Sequence, residues 1–223
     1  MELTLGDLVR NRTMSPEMAA ALATAAEERR SLLTVAIPRM AGKSTVLNAY
    51  LQRTPPATPV HQLSRDAGPG LGIPPKPDAG FLLMSEVSDV GFPEYLWGHE
   101  VRSAFESLGR GFSLATALHA GGLEEAFNVI TGANEVPDEH AARIDLMVYI
   151  RSLGHWQKPA RRVVSAMYEI ESVVDGRPRA RVLHRWVEAA DRFEAVDPPL
   201  RIGSLAGTAD RHLLEFAGSV APV

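Results

Sequence analysis

The sequence contains no cysteine, which excludes a disulfide framework, a thiolate metal site and a cysteine nucleophile, and fits a reducing compartment. It also lacks any stretch of about 18 uninterrupted apolar residues. Its start, Met1-Glu2-Leu3-Thr4-Leu5-Gly6-Asp7-Leu8, has no basic region leading into an apolar run. No direct membrane insertion is expected, and the chain is read as cytoplasmic. An excess of either charge is missing too: 23 Lys and Arg against 27 Asp and Glu leave a formal net charge of -4. That balance gives no general pull toward nucleic acid or anionic lipid, so no nucleic-acid partner is predicted. What is there is a chain of 223 residues, 45% hydrophobic, enough to bury the core of one α/β domain with modest additions.

Thr4, with Asp7 three residues on, predicts a capped helix over residues 4–11, and Ser15-Pro16-Glu17 starts a longer alanine-rich helix reaching residue 30. Residues 31–37 are rich in strand formers and stop at Pro38, which marks the first core strand. From Lys43 the pattern turns helical, until Thr54-Pro55-Pro56 ends it. Residues 60–63 read as a short strand and residues 67–78, dense in Gly and Pro, as a loop. Phe81-Leu82-Leu83-Met84 is a fully apolar strand of the kind buried on both faces of a parallel sheet. A helix over residues 93–108, a strand over 112–118 and a helix over 123–130 follow. Strands over residues 144–151, 161–170 and 179–186 come next, the last two joined by an Asp175-Gly176 hairpin turn, and the tail carries a helical stretch at 210–216. The alternation implies an α/β fold, a mostly parallel sheet flanked by helices, with antiparallel strands toward the C-terminus.

Between the first strand and the next helix runs Ile37-Pro38-Arg39-Met40-Ala41-Gly42-Lys43-Ser44-Thr45. A nucleoside triphosphate needs clustered backbone donors, a cation and a metal-holding hydroxyl, and a loop leading from a buried strand into a helix N-terminus supplies all three. From Gly42 onward the segment matches the phosphate-loop pattern. Pro38, Arg39, Met40, Ala41, Gly42, Lys43, Ser44 and Thr45 are the expected nucleotide-binding residues. Lys43 would reach the β- and γ-phosphates and Ser44 would hold Mg²⁺. Ile37 stands where the pattern has its first glycine, and a β-branched residue takes that backbone geometry only with difficulty. The bland alternative is a chance Gly-Lys-Ser-Thr opening a helix, with Gly42 a turn residue.

Hydrolysis of a phosphoanhydride needs a carboxylate to order water near the metal, placed at the C-terminal end of a neighbouring strand. Glu86, just after Phe81-Leu82-Leu83-Met84, is so placed, and would also hold Mg²⁺ through water; Asp89 is a second candidate. The competing reading has residues 85–89 capping the next helix. His119 follows a third apolar strand and is expected at the same sheet edge, where it could sense the γ-phosphate or serve only as a hydrogen-bonded strand end. His99, His140, His155 and His184 show no metal-ligand spacing.

Residues 5–186 resemble the type II/IV secretion and type IV pilus assembly ATPases, nearest the Tad-type branch. The resemblance lies in Gly6-Asp7-Leu8-Val9 with Met14-Ser15-Pro16-Glu17-Met18-Ala19, and in Ser44-Thr45-Val46-Leu47-Asn48-Ala49 after the Walker A motif. It continues in Leu82-Leu83-Met84-Ser85-Glu86-Val87-Ser88-Asp89 at the Walker B segment, and in Ala117-Leu118-His119-Ala120 with Glu124-Glu125-Ala126 at the histidine box. It implies a RecA-like P-loop NTPase domain over residues 31–196, lead-in helices over 1–30 and a helical tail over 197–223. It further implies ATP or another nucleoside triphosphate with Mg²⁺, Lys43, Glu86 and His119 as catalytic residues, and a homo-oligomer or a hetero-oligomer with a pilus or secretion component. Through such partners the chain would sit peripherally at the inner face of the membrane. The departures are Arg65-Asp66 where the family has Glu-Asp, an interval up to Glu86 too short for the usual arginine-bearing insertion, and no counterpart of the family's N-terminal domain. Two functions follow: an ATP-hydrolysing motor subunit, or a degenerate, non-hydrolysing relative serving as a regulatory or structural binding module. A small-molecule kinase is disfavoured, since no acceptor site or lid is recognisable.

Overall fold

The computed structural model describes residues 2–37, 40–155, 157–203 and 208–218. The elements are α1 (Leu5–Arg10), α2 (Pro16–Glu27), β1 (Leu32–Ile37), α3 (Lys43–Leu51), β2 (Val60–Gln62), β3 (Phe81–Val87), β4 (Tyr95–Leu96) and α4 (His99–Leu108). They continue as β5 (Ser113–Leu118), α5 (Leu123–Phe127), α6 (Asp138–Ala141), β6 (Leu146–His155), β7 (Lys158–Val174), β8 (Arg177–Val187), β9 (Arg192–Ala195) and α7 (Thr208–Ala217). The strands make one sheet in the order β2-β3-β5-β1-β6-β7-β8-β9, with β4 added beside the end of β3. Pairing is parallel from β2 through β6 and antiparallel from β6 to β9. The chain is thus an α/β fold with a large, mostly parallel sheet, helices on both faces and antiparallel strands at its C-terminal side.

Alternate residues of the central strands enter opposite core layers, which is why those strands read as unbroken apolar runs. Leu32, Ala36 and Phe81 pack with α1, α2, α3 and α7 through Leu8, Leu22, Tyr50 and Phe216. Leu33, Val35, Leu82 and Met84 pack with α4 and α5 through Val101, Phe105 and Phe127. The ring of Tyr50 meets that of Phe81 edge-on at 6.0 Å, and its hydroxyl donates to the carbonyl of Arg30. Among the described residues no helix is long and apolar enough to cross a membrane.

The lead-in helices start where their caps are. Thr4 and Asp7 form a reciprocal capping box. Hydrogen bonds from the Thr4 hydroxyl and amide, then from Arg10, hold the Asp7 carboxyl down at about 2. Ser15 accepts from the Met18 amide, with Pro16 in the first turn.

Three stretches differ from expectation. The helix expected from residue 93 begins at His99, because Tyr95–Leu96 pairs with Glu86 and Val87 as β4 and Gly98 turns the chain at φ 62 with its amide on the Asn134 side chain. The helix expected over residues 123–130 runs as α5 only to Phe127 and widens into a π-helical turn, Asn128–Ala133, where the Asn134 amide donates to the Val129 carbonyl. A last strand, β9, extends the antiparallel side.

Candidate functional site

Strand order decides which side chains meet. β5 lies between β1 and β3, so the chain emerging from β5 comes out between the loop after β1 and the end of β3. Glu86 was expected beyond the end of a strand neighbouring β1; it stands inside β3, one strand further away. The β3–β5 register shifts between Met84 and Val87. Such a bulge breaks strict alternation, and Glu86 and its neighbour Val87 are both buried. This arrangement leaves no room for the reading in which residues 85–89 only cap a helix.

Lys43 from the start of α3, Glu86 from β3 and His119 from just past β5 converge. Lys43 Nζ lies 3.0 Å from His119 Nε2 and 3.4 Å from Glu86 Oε2, and His119 Nε2 lies 3.5 Å from Glu86 Oε1. Lys43 can only donate while charged, whereas His119 Nε2 can accept from Lys43 or, when protonated, donate to Glu86. Lys43 and Glu86 are 6% and 8% exposed, and at that burial either charge alone would cost several kcal/mol of desolvation that the pairing offsets. Glu125, in the first turn of α5, accepts the Gly121 amide at 2.7 Å and so fixes the turn that follows His119.

On the other side of the triad is the loop into α3. Met40 at φ 64 and Gly42 at φ 102 take left-handed conformations, and Gly42 caps α3 with no side-chain bond. The first turn of α3 thus starts at the cavity with the positive end of the helix. Arg162, from β7, lies across this turn and donates from Nε to the Met40 carbonyl at 3.1 Å. A Cβ at position 42 would stand 3.1 Å from Arg162 Cδ, so both the backbone angle and the space call for glycine.

Met40, Ala41, Gly42, Lys43, Ser44 and Thr45 line one wall of an open cavity of about 490 Å³, and Glu86, His119 and Arg162 line another. Phe92 and Tyr95, whose rings meet edge-on at 5.3 Å, complete it. Ile37 is half exposed at the loop entrance. Pro38 and Arg39 lie outside the described residues. Asp89 is exposed and does not join the cavity, nor do the other histidines. Arg65 is turned away, its Nε 2.9 and 3.0 Å from the two oxygens of Glu100. Sequence reasoning missed Arg162, Phe92 and Tyr95. Arg162 carried no local signal, since it reaches the loop only because β7 folds back on β6.

Chemically, the cavity offers an anion a lysine and a helix N-terminus, with a carboxylate and an imidazole beside them. Among the described residues no cluster of three or more His, Asp or Glu side chains could hold a metal ion by itself. Ser44 is exposed at the cavity wall, a hydroxyl available to a cation that arrives with phosphate.

No protein-family model matches the chain, and no curated protein does. Among solved structures it is similar to the VirB11 ATPase from the Brucella suis type IV secretion system, a crystal structure in complex with sulphate. The identity is 18% and the TM-score 0.44, covering 66% of this chain and 50% of that one. The chain thus spans half the length of that protein, and the fold described above rests on its own strand order.

Proposed function

We propose that this chain binds a nucleoside triphosphate with Mg²⁺ in the cavity at Lys43 and hydrolyses it. The supporting observation is the meeting of Lys43, Glu86 and His119, from separate elements, within 3.5 Å at a glycine-turned helix start. An ion pair so buried adds little net stability over apolar residues, which makes a functional reason for it the stronger one. Incoming phosphate oxygens compete with the Glu86 carboxylate for Lys43. Glu86, released from that bond, is then placed to order the attacking water. His119 donates or accepts at the same point according to what replaces Lys43 beside Nε2. The Glu86 carboxylate would repel a bare triphosphate, and Ser44, with Glu86 through water, would hold the Mg²⁺ that offsets this repulsion. That ion would neutralise charge developing on the transferred phosphoryl group.

A role as a motor subunit in secretion or pilus assembly, in a homo-oligomer or with a partner chain at the inner face of the membrane, is part of the same proposal and is supported by the sequence resemblance. A second reading, nucleotide held without turnover, is favoured by Ile37 at the loop entrance. Phosphate release and calorimetric ATP binding by the wild type, Lys43→Ala and Glu86→Gln, each with Mg²⁺ and at high protein concentration, separate the two. Lys43→Ala is expected to weaken binding at least about 30-fold. Turnover abolished in Glu86→Gln with binding retained supports hydrolysis; binding without turnover in the wild type supports the second reading; no binding by the wild type overturns both.

A further inference from the structure

A polyanion is held best where the surrounding charges sum to a positive field. Among the described residues lining the cavity the fixed charges are those of Lys43, Glu86 and Arg162, with His119 adding one only when protonated. Lys43 and Glu86 lie 3.4 Å apart and cancel. The net positive charge of the described lining is therefore that of Arg162.

Two adjacent arginines on β7 show how differently the same side chain can be used. Arg161 donates from Nε and Nη2 to the Arg12 carbonyl at 3.2 and 2.8 Å and from Nη1 to Asp191 at 2.6 Å. All of its nitrogens have protein partners, and it ties β7 to the segment linking α1 and α2. Arg162 donates only from Nε, to the Met40 carbonyl at 3.1 Å. Among the described residues Nη1 and Nη2 have no hydrogen-bond or ion-pair partner, and the side chain is only partly buried. A guanidinium is planar, so the Nε bond also sets the plane in which the two Nη groups lie. The stem is held too, because Arg162 Cδ lies close over Gly42, 3.1 Å from where a Cβ would stand.

We propose that Arg162 is a phosphate-binding residue of this cavity, its two Nη groups taking oxygens of the phosphate chain from the β7 side while Lys43 takes others from the start of α3. The proposal rests on the nucleotide reading and adds to it a second cation, reached from a part of the sheet that no phosphate-loop pattern includes. A side chain already anchored at Nε and Cδ loses little further freedom when the ligand arrives. A planar fork also suits two oxygens of a phosphate group better than a single ammonium does. The bland role, that Arg162 only holds Met40 in its left-handed turn at φ 64, needs Nε alone and gives Nη1 and Nη2 nothing to do.

The two roles separate in a pair of variants. In Arg162→Gln the side-chain amide nitrogen stands as many bonds from Cα as Nε does, so the bond to the Met40 carbonyl can persist while the charge and both Nη groups are gone. Arg162→Met removes all of them. Calorimetric binding of magnesium tripolyphosphate and of magnesium ATP, at low and at high salt, is compared with the melting temperature of each protein. Arg162→Gln is expected to melt with the wild type yet to bind both ligands at least about 10-fold more weakly, the size of a lost charge-assisted contact. Its affinity is also expected to fall less steeply with salt, since one screened attraction is missing. Arg162→Met is expected to bind as weakly as Arg162→Gln. Wild-type affinity and salt dependence in Arg162→Gln, whether or not Arg162→Met binds, overturn the phosphate contact and leave the nucleotide site standing. An affinity loss in Arg162→Gln with the wild-type salt dependence overturns it as well, assigning the arginine to the turn. Failure of the wild type to bind either ligand overturns the nucleotide reading and this proposal with it.

Discussion

The two halves of the sheet are built for different work. On the parallel side, β3, β5 and β1 are buried on both faces and carry no charged residue before the C-terminal edge, where Glu86, His119 and Lys43 gather. On the antiparallel side, β8 and β9 spread charge along their length, with Arg185 and Arg192 on Glu194 in pairs that solvent screens. Charge on the first side is concentrated, buried and costly; on the second it is dispersed and cheap. The halves meet again at the turn into α3, where β7 lays Arg162 on the Met40 carbonyl. A buried strand can be made of anything apolar, so the few polar residues it carries at its end are the informative ones.

The largest effect that sharpens this contrast is expected in the parallel half. Phe81→Ala removes a fully buried ring from its edge contact with Tyr50 and is expected to cost about 3–5 kcal/mol in denaturant unfolding. Next comes the junction of the halves. Gly42→Ala meets both an unfavourable backbone angle and the Arg162 side chain, and is expected to destabilise by about 1–3 kcal/mol. Its effect on nucleotide binding should be larger than that of a comparable change elsewhere in α3. An unchanged binding curve would detach Arg162 from the site.

The smallest effect belongs to the antiparallel half. Burial holds the His184 imidazole on β8 below its ordinary range, against a weaker opposing pull from Glu17 on α2. The folded state therefore disfavours the charged ring, so the stability tied to it is present above about pH 6.5 and is lost as the pH falls through the depressed folded value. His184→Leu is expected to flatten that loss, its melting temperature falling less than that of the wild type between about pH 7.5 and about pH 5.5. An identical fall in both proteins would place the acid sensitivity in another group.

Much of this was legible in the chain itself wherever the physics is local. The Thr4 and Ser15 caps, the apolar run of β1, the glycine-lysine start of α3 and the Asp175-Gly176 turn, with φ of 52 and 74, each announce themselves within a few residues. The departures are non-local. Nothing near Glu86 says that β5 will come between it and the phosphate loop. Tyr95–Leu96 pairs only because the end of β3 is there to receive it. Arg162 becomes part of the cavity through the long return of β7 along β6, a consequence of register that its neighbours in sequence do not encode.

The account stands on the buried Lys43–Glu86 pair being kept for an anion and not for the fold. The most direct test is the double variant Lys43→Met with Glu86→Leu, followed by thermal unfolding with and without magnesium tripolyphosphate. Apolar replacement of a buried pair is expected to leave stability equal or higher, while the stabilisation that the ligand gives the wild type disappears. A double variant that unfolds markedly earlier yet is still stabilised by the ligand would show the pair to be structural and contradict the account.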